Sequence, residues 1–243
     1  MAVLDIAADA RRAVDTVKAG GIVVFPTDVG YAGTGGCEAA LTRFFQAKGR
    51  GAHKRNAMLG SMAIHEDVHA MPARVNTMIR ALVEDYDLPI SAIGPYRPGH
   101  PLLRKLGDEA LAASTEGGTV AILMNVGPLE HRMATLAVEE GQPLFGSSAN
   151  LTGTGTKFRA EEVQEPIRAC ADLVIDYGLM KYHRYRRSST MIDFTTMEVV
   201  RIGSCYELIQ DVLRRHFGVE LPEDPGLEAL PSGHVREEQR RYG

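Results

Sequence analysis

Tryptophan is absent from the 243 residues, cysteine occurs three times, and aromatic residues make up only 6% of the chain. Cys37, Cys170 and Cys205 lie far apart, with no CxxC or Cys/His spacing. That pattern suggests neither a zinc site nor a disulfide framework, and a reducing cytoplasm is the expected location. No apolar run approaches the roughly 20 residues needed to span a bilayer. The opening "MAVLDIAADARRAVD" carries acidic residues where a signal peptide has its apolar region, so no export by that route is expected. Excess positive charge is lacking as well. At a formal net charge of −4 the molecule does not carry the field of a general nucleic-acid binder, and any anion site must be local. The eight histidines form no HExxH, and there is no GxSxG elbow, no GxxxxGK[ST] loop and no GxGxxG opening a helix after a strand. A metallohydrolase, a serine hydrolase, a P-loop enzyme and a dinucleotide-binding enzyme are all left without support, and no metal site is expected.

What is present is enough apolar sequence, 44%, for one sizeable core. Residues 5–19 have helical spacing and end at Gly20-Gly21. The next run, "IVVF", is apolar without alternation, as in a strand covered on both faces, and Pro26 is expected to stop its ladder so that a loop follows. Helices are predicted in "CEAALTRFFQAK", "RVNTMIRALVEDY", "PLEHRMATLAVEE", "AEEVQEPIRAC" and "YELIQDVLRRHF". Strands are predicted in "TVAILM", "QPLFGSSAN", "DLVID", "TMIDF" and "EVVRIG". Alternation of the two predicts an α/β fold with a single twisted mixed sheet flanked by helices. The domain is expected to fill residues 1–220. From Leu221 onward the chain is rich in Pro, Gly, Glu and Arg and reads as a mostly disordered tail over 221–243.

Three segments could carry chemistry. Lys48, Arg50, His53, Lys54 and Arg55 crowd into eight residues after a predicted helix. They fit a solvated basic loop, but in an extended segment Lys48, Arg50 and Lys54 would share one face and make a pocket for a polyphosphate. "SSANLTGTGT" (147–156) concentrates hydroxyls, an amide and glycines directly after a strand. An ordinary turn has this composition too, yet a strand end in an α/β sheet is where ligands bind, and such groups hold phosphate or ribose. "KYHRYRRSST" (181–190) interleaves cations with Tyr182 and Tyr185. RNA contact through Arg184, Arg186 and Arg187 and a plain surface loop with snorkelling cations both suit it.

Together these segments resemble the YrdC-like family, best known for threonylcarbamoyl-AMP synthases acting in tRNA t6A modification. The family's Pro-Thr-Asp/Glu and Tyr-Gly stretch falls on Pro26, Thr27, Asp28, Tyr31 and Gly33. Its Lys-x-Arg-x-x-x-Lys signature falls on Lys48, Arg50 and Lys54, and its Ser-Ala-Asn-x-Ser-Gly signature on Ser148, Ala149, Asn150, Thr152 and Gly153. The Ser-Thr element and Arg-x-Gly fall on Ser188, Ser189, Thr190, Arg201 and Gly203. The order holds over residues 10–215. The resemblance implies a concave basic face binding ATP with Mg²⁺, threonine and bicarbonate. It assigns nucleotide binding to Lys48, Arg50, Lys54, Thr119, Ser148, Asn150, Thr156 and Arg201, with Lys48 and Arg50 also catalytic. It assigns the amino-acid side to Thr27, Tyr31, Ser189 and Thr190. A tRNA or double-stranded RNA partner is expected, and a non-catalytic RNA- or nucleotide-binding module is the alternative. The pattern departs in "TVAILM", where Leu123 stands in place of the family's carboxylate-gripping arginine, and in "YRPGHPLL", which lacks tryptophan; Arg97, His100 or the 181–187 loop could replace that cation.

Overall fold

The structure, a computed structural model, describes residues 3–49 and 55–235. In chain order the first half runs α1 (Ile6–Lys18), β1 (Val23–Thr27), β2 (Gly30–Gly35), α2 (Glu38–Lys48), β3 (Ala57–Leu59), α3 (Met62–Val68), α4 (Ala73–Arg80), β4 (Ile90–Pro95), α5 (Pro101–Arg104) and α6 (Asp108–Ala112). The second half runs β5 (Thr115–Glu116), β6 (Thr119–Met124), α7 (Pro128–Glu139), β7 (Phe145–Ser148), α8 (Glu165–Cys170), β8 (Leu173–Val174), β9 (Thr190–Asp193), β10 (Glu198–Arg201) and α9 (Tyr206–Phe217). The strands form one mixed sheet in the order β10-β9-β4-β6-β3-β7-β2-β1-β8, with β5 paired to β6. The α/β architecture is the expected one.

Local chemistry explains most boundaries. Asp5 accepts the Ala8 N–H at 3.0 Å and starts α1. Pro128 begins α7 and Gly49, in the left-handed region, ends α2. The "AEEVQEPIRAC" segment is not one helix: Pro166 has no N–H for a preceding helical turn and its ring clashes with one, so a short 3₁₀ turn at Ala160–Glu162 precedes α8, which restarts with proline in its first turn.

The expectation that Pro26 ends a strand and opens a loop is corrected. β1 continues through Pro26 and turns at once into β2, an antiparallel partner in which Pro26 faces Tyr31. The Tyr31 N–H goes to Lys157 O at 2.8 Å and its carbonyl takes the Ala149 N–H at 2.8 Å, so this pair exchanges no ladder bonds and needs no donor from proline. β2, "GYAGTG", is a glycine-rich central strand because neighbours leave no room. A Cβ at Gly33 would lie 2.3 Å from the Phe44 ring, and one at Gly146, the β7 partner of Thr34, 2.0 Å from Gly33 O.

One sheet face carries Met58, Ile122, Met124, Ile90, Phe145 and Ile192 against α3, α4 and α9. At the β1–β2 end the other face is covered by α1 and α7 through Val14, Val17, Leu129 and Met133 packed on Val23 and Phe25. Beyond them that second face is open. Leu123 pairs with Ser91 and Ser91 with Met191, while Ala121 pairs with both Ala57 and Ile93, so these residues share it. Ala57, Ile93, Leu123 and Met191 are half-buried there.

Residues 221–235, expected to be part of a flexible tail, pack onto the domain. Leu221 and Leu230 are buried in the main core. Tyr206 donates to Pro222 O at 2.5 Å, and Ile202 N–H to Gly233 O at 2.8 Å. Two well-spaced leucines give an otherwise polar strap its apolar anchors, a signal that the polar composition outweighs in sequence.

Candidate functional site

Lys48, the first cation of the basic segment, meets the hydroxyl-rich turn directly. Lys48 sits in the last turn of α2, only 3% exposed, and its ammonium donates to Ser148 O and to Asn150 O, the latter at 2.8 Å. In return Thr152 N–H donates to Lys48 O at 3.0 Å. Lys48 is therefore helical rather than extended, and its charge is spent on the turn's carbonyls, with the Phe44 ring 5.3 Å beneath it. The shared extended face read for Lys48, Arg50 and Lys54 does not include Lys48. Arg50 and Lys54 lie outside the described residues.

The turn itself keeps open polar atoms. Asn150 donates through Nδ2 to Leu151 O at 2.6 Å, but its buried Oδ1 and the Ser147 hydroxyl have no hydrogen-bond partner among the described residues. Buried acceptors and donors left unpaired are costly, and a ligand or water is the usual remedy. Ser148 lies two residues beyond Gly146, which pairs with Ala57, itself the partner of Ala121. Ser148 and Thr119 thus stand at one level on either side of Arg55, where the chain re-enters from the basic segment. The Thr119 hydroxyl is bonded locally to Glu116 O at 2.7 Å.

The 153–158 loop lies on the β1–β2 hairpin. A Cβ at Gly30 would lie 2.3 Å from the Thr156 methyl, so glycine is required for that contact. Gly153–Phe158, Glu162, Arg186 and strap residues Leu227, Glu228, Pro231 and Ser232 enclose a cleft of about 620 Å³. That volume suits a nucleotide-sized ligand. Of the residues assigned to the nucleotide by resemblance, Thr156 lines it.

The amino-acid-side residues are more buried than the resemblance implies. Thr27 donates to Gly30 O at 2.5 Å across the hairpin turn. Tyr31 is 1% exposed, and its phenol donates to Asp176 at 2.7 Å while accepting the Tyr177 N–H at 3.1 Å. Burial, then the Asp176 carboxylate, raises the phenol above its ordinary pKa, and the same bond lowers that of Asp176. Thr190 faces the closed side of the sheet, where its hydroxyl donates to Ser204 O at 3.1 Å and accepts the Gly203 N–H at 3.2 Å. Ser189 is also fully buried. Its hydroxyl meets Ser91 at 2.9 Å and accepts from Arg201 Nη2 at 2.9 Å, while Arg201 Nε donates to Ser189 O at 2.8 Å. The hydroxyls of Thr190 and Ser189 are thus tied into the fold, and among the described residues the only bond of the Thr27 hydroxyl is within its own turn.

Asp28 joins the site from the same turn. Its N–H donates to Val126 O at 2.7 Å and its carbonyl takes the Tyr182 N–H at 2.9 Å. Its carboxylate lies 3.5 Å from Lys181, and burial outweighs that cation to raise its pKa. The 181–187 loop is thereby held against the hairpin. Arg97 caps α3 through the carbonyls of Glu66, Asp67 and His69, and His100 bonds Asp67 at 2.9 Å, so neither is a spare cation beside Leu123. Sequence reasoning missed Asp176, whose only signal is an acid following an apolar strand. It also missed Glu130, whose helical periodicity gives no hint of burial.

Among the described residues no cluster of three or more His, Cys, Asp or Glu side chains could hold a metal ion, and no helix is long and apolar enough to cross a membrane. Residues 15–203 match the Sua5/YciO/YrdC family model, described as telomere recombination. A threonylcarbamoyl-AMP synthase of Rattus norvegicus is 30% identical over 219 residues, spanning 86% of this chain and 72% of that protein. A hypothetical protein of Streptococcus mutans superposes with TM-score 0.74 at 24% identity over 86% of this chain and 92% of its own. P. abyssi Sua5 complexed with L-threonine superposes with TM-score 0.68 at 23% identity over 84% of this chain and 57% of its own, a likeness of fold. The motif order, the sheet and these matches agree: the chain belongs to the Sua5/YciO/YrdC family.

Proposed function

We propose that the protein forms a carbamoyl adenylate from ATP, bicarbonate and an amino acid, threonine or a related amine, as a step toward t6A in tRNA. The amine and bicarbonate condense to a carbamate with loss of water. A carbamate oxygen then attacks the α-phosphorus of ATP, and the bond to the bridging oxygen breaks to release pyrophosphate. Both reactants are already anions, so the step needs charge neutralisation and alignment more than a general base. Arg50 and Lys54 supply the charge, together with the magnesium that accompanies ATP as part of the substrate. Lys48 positions the Ser148–Asn150 turn, so that Asn150 Oδ1 is free for the nucleotide. Thr27 and the neighbouring turn line the amino-acid side.

The observation that carries this reading is the Lys48 ammonium bonded to the turn at Ser148 and Asn150, which joins the family's two nucleotide signatures at one place. The test is pyrophosphate release dependent on both bicarbonate and an amino acid, screened across amino acids and abolished by Arg50→Ala. Turnover without bicarbonate, or no nucleotide binding, removes the reading. The RNA-module alternative loses a contact, because Arg187 is only 4% exposed.

A further inference from the structure

Two adjacent arginines that the sequence offers as equivalent are used in opposite ways. The Arg187 guanidinium donates four hydrogen bonds to three acceptors of the strap: from Nε to Leu230 O at 3.1 Å, from Nη1 to Asp224 Oδ2 at 2.7 Å, and from Nη2 to Gly226 O at 2.9 Å and Leu230 O at 2.6 Å. Nearly all of its hydrogen-bonding capacity is spent inside the fold. Arg186, one residue earlier, has a left-handed backbone, φ 56°, which closes the 3₁₀ turn His183–Tyr185 and sends its side chain the other way. It lines the 620 Å³ cleft, and no hydrogen bond or ion pair among the described residues holds its guanidinium.

The cleft is made by three pieces that the clasp brings together. One wall is the Gly153–Phe158 loop, whose Gly153 and Gly155 have positive φ and open space where a Cβ would stand. The opposite wall is the strap, through Leu227, Glu228, Pro231 and Ser232. Arg187 holds the strap before that wall, at Asp224 and Gly226, and within it, at Leu230. Gly233, just beyond, is pressed so closely on Ile202 O that a Cβ would lie 2.0 Å away. A strap fixed at both ends makes the wall permanent. A free planar cation beside glycine-exposed backbone N–H groups is a fork for phosphate oxygens.

We propose that Arg186 is an anion-contacting residue of the nucleotide cleft, and that Arg187 is a positioning residue that sets both Arg186 and the strap wall opposite the Gly153–Thr156 loop. The ligand class is a nucleoside phosphate. This rests on the nucleotide reading of the site and goes beyond it by naming the residue that meets the phosphate from the strap side.

The test compares the full chain with Arg186→Ala, Arg187→Ala, Arg187→Lys and Asp224→Asn, by equilibrium binding of a non-hydrolysable ATP analogue and of adenosine and by backbone hydrogen exchange. Losing one charge-assisted contact weakens binding about tenfold or more. Arg186→Ala is expected to lose that much affinity for the ATP analogue, to bind adenosine as the unaltered protein does, and to keep its melting temperature. Arg187→Ala is expected to expose the Ile202 and Gly233 amides to exchange and to lose ATP-analogue affinity as well, with Arg187→Lys recovering little of either. Asp224→Asn, which removes the charge from one half-exposed anchor, keeps the fold intact should Arg187→Ala fail to fold, and gives the same pattern in weaker form. Undiminished ATP-analogue affinity in Arg186→Ala overturns its role, and a loosened strap with full affinity overturns that of Arg187. No nucleotide binding by the unaltered protein overturns the nucleotide reading itself, whereas the exchange measurement still reports whether Arg187 holds the strap.

Discussion

Lys48 Nζ donates to the carbonyl oxygen of Asn150 at 2.8 Å across 102 residues of sequence, and both residues are buried. This contact fixes the end of α2 to the turn that follows β7.

Replacing that ammonium tests its structural share. Lys48→Met keeps the length but leaves the Ser148 and Asn150 carbonyls without their donor, so stability should fall by about 2–3 kcal/mol. Urea unfolding measures it. An unchanged midpoint would mean that the turn is held by its own backbone.

Glu130 is a second test. It is 1% exposed on α7, neither carboxyl oxygen has a well-formed hydrogen bond among the described residues, and burial pushes its pKa well above the ordinary 4.5, offset only in part by the nearby backbone N–H groups of Gly60 and Val126. The folded state therefore keeps a proton that the unfolded chain releases above pH 4.5, and stability declines as pH rises from there. Glu130→Gln should be more stable than the unaltered protein at pH 8, with the gap closing toward pH 4. Parallel pH dependences for the two proteins would contradict the assignment.

The buried pair His65 and His69 acts in the opposite sense. Their Nδ1 atoms are 2.9 Å apart, and His69 Nε2 must donate to Val120 O at 3.0 Å. A neutral His65 then has one N–H for two acceptors, His69 Nδ1 and, at 3.0 Å, Asn76 Oδ1. Burial, then the neighbouring His65, depresses His69 to about 3. Stability present above pH 6.5 should thus be lost as pH falls toward 3, at up to about 1.4 kcal/mol per pH unit. His69→Gln should be less stable at pH 7 and flatter below pH 6.5, as followed by thermal melts in matched buffers.

Glycine placement gives a fourth. Gly146→Ala puts a methyl 2.0 Å from Gly33 O in the middle of the sheet and should cost about 2–3 kcal/mol. Gly117→Ala, strained by φ 55° but in open space, should cost about 1 kcal/mol. Equal losses in calorimetry would remove the steric account of β2 and β7.

The buried strands were the most legible part of the sequence. "TVAILM" carries a continuous apolar run and is β6, and α1 and α7 show their helical stripe and capping residues plainly. β2 was not legible, because "GYAGTG" has the composition of a loop and becomes a strand only through Phe44, Phe145 and Gly146 around it. β4 likewise hides in "ISAIGP", where proline and glycine mask an alternating strand. At the site, the motif residues announced which segments converge but not which side chains face the ligand. Thr190 is turned to the closed side because it pairs with Ile90, a register that no single segment encodes. Arg186 and Arg187 read alike in sequence, and only the left-handed backbone at Arg186 divides them.

The bond from Ile202 N–H to Gly233 O, with the bridge from Arg201 to His234 beside it, lays the strap along β10 like a further short strand. One margin of the sheet is thus already occupied by the chain's own backbone, and the other ends in β8, a strand of two residues. Neither border offers a foreign strand the long row of unpaired peptide groups on which edge-to-edge aggregation starts, so resistance to such polymerisation is written into the same strap that walls the cleft.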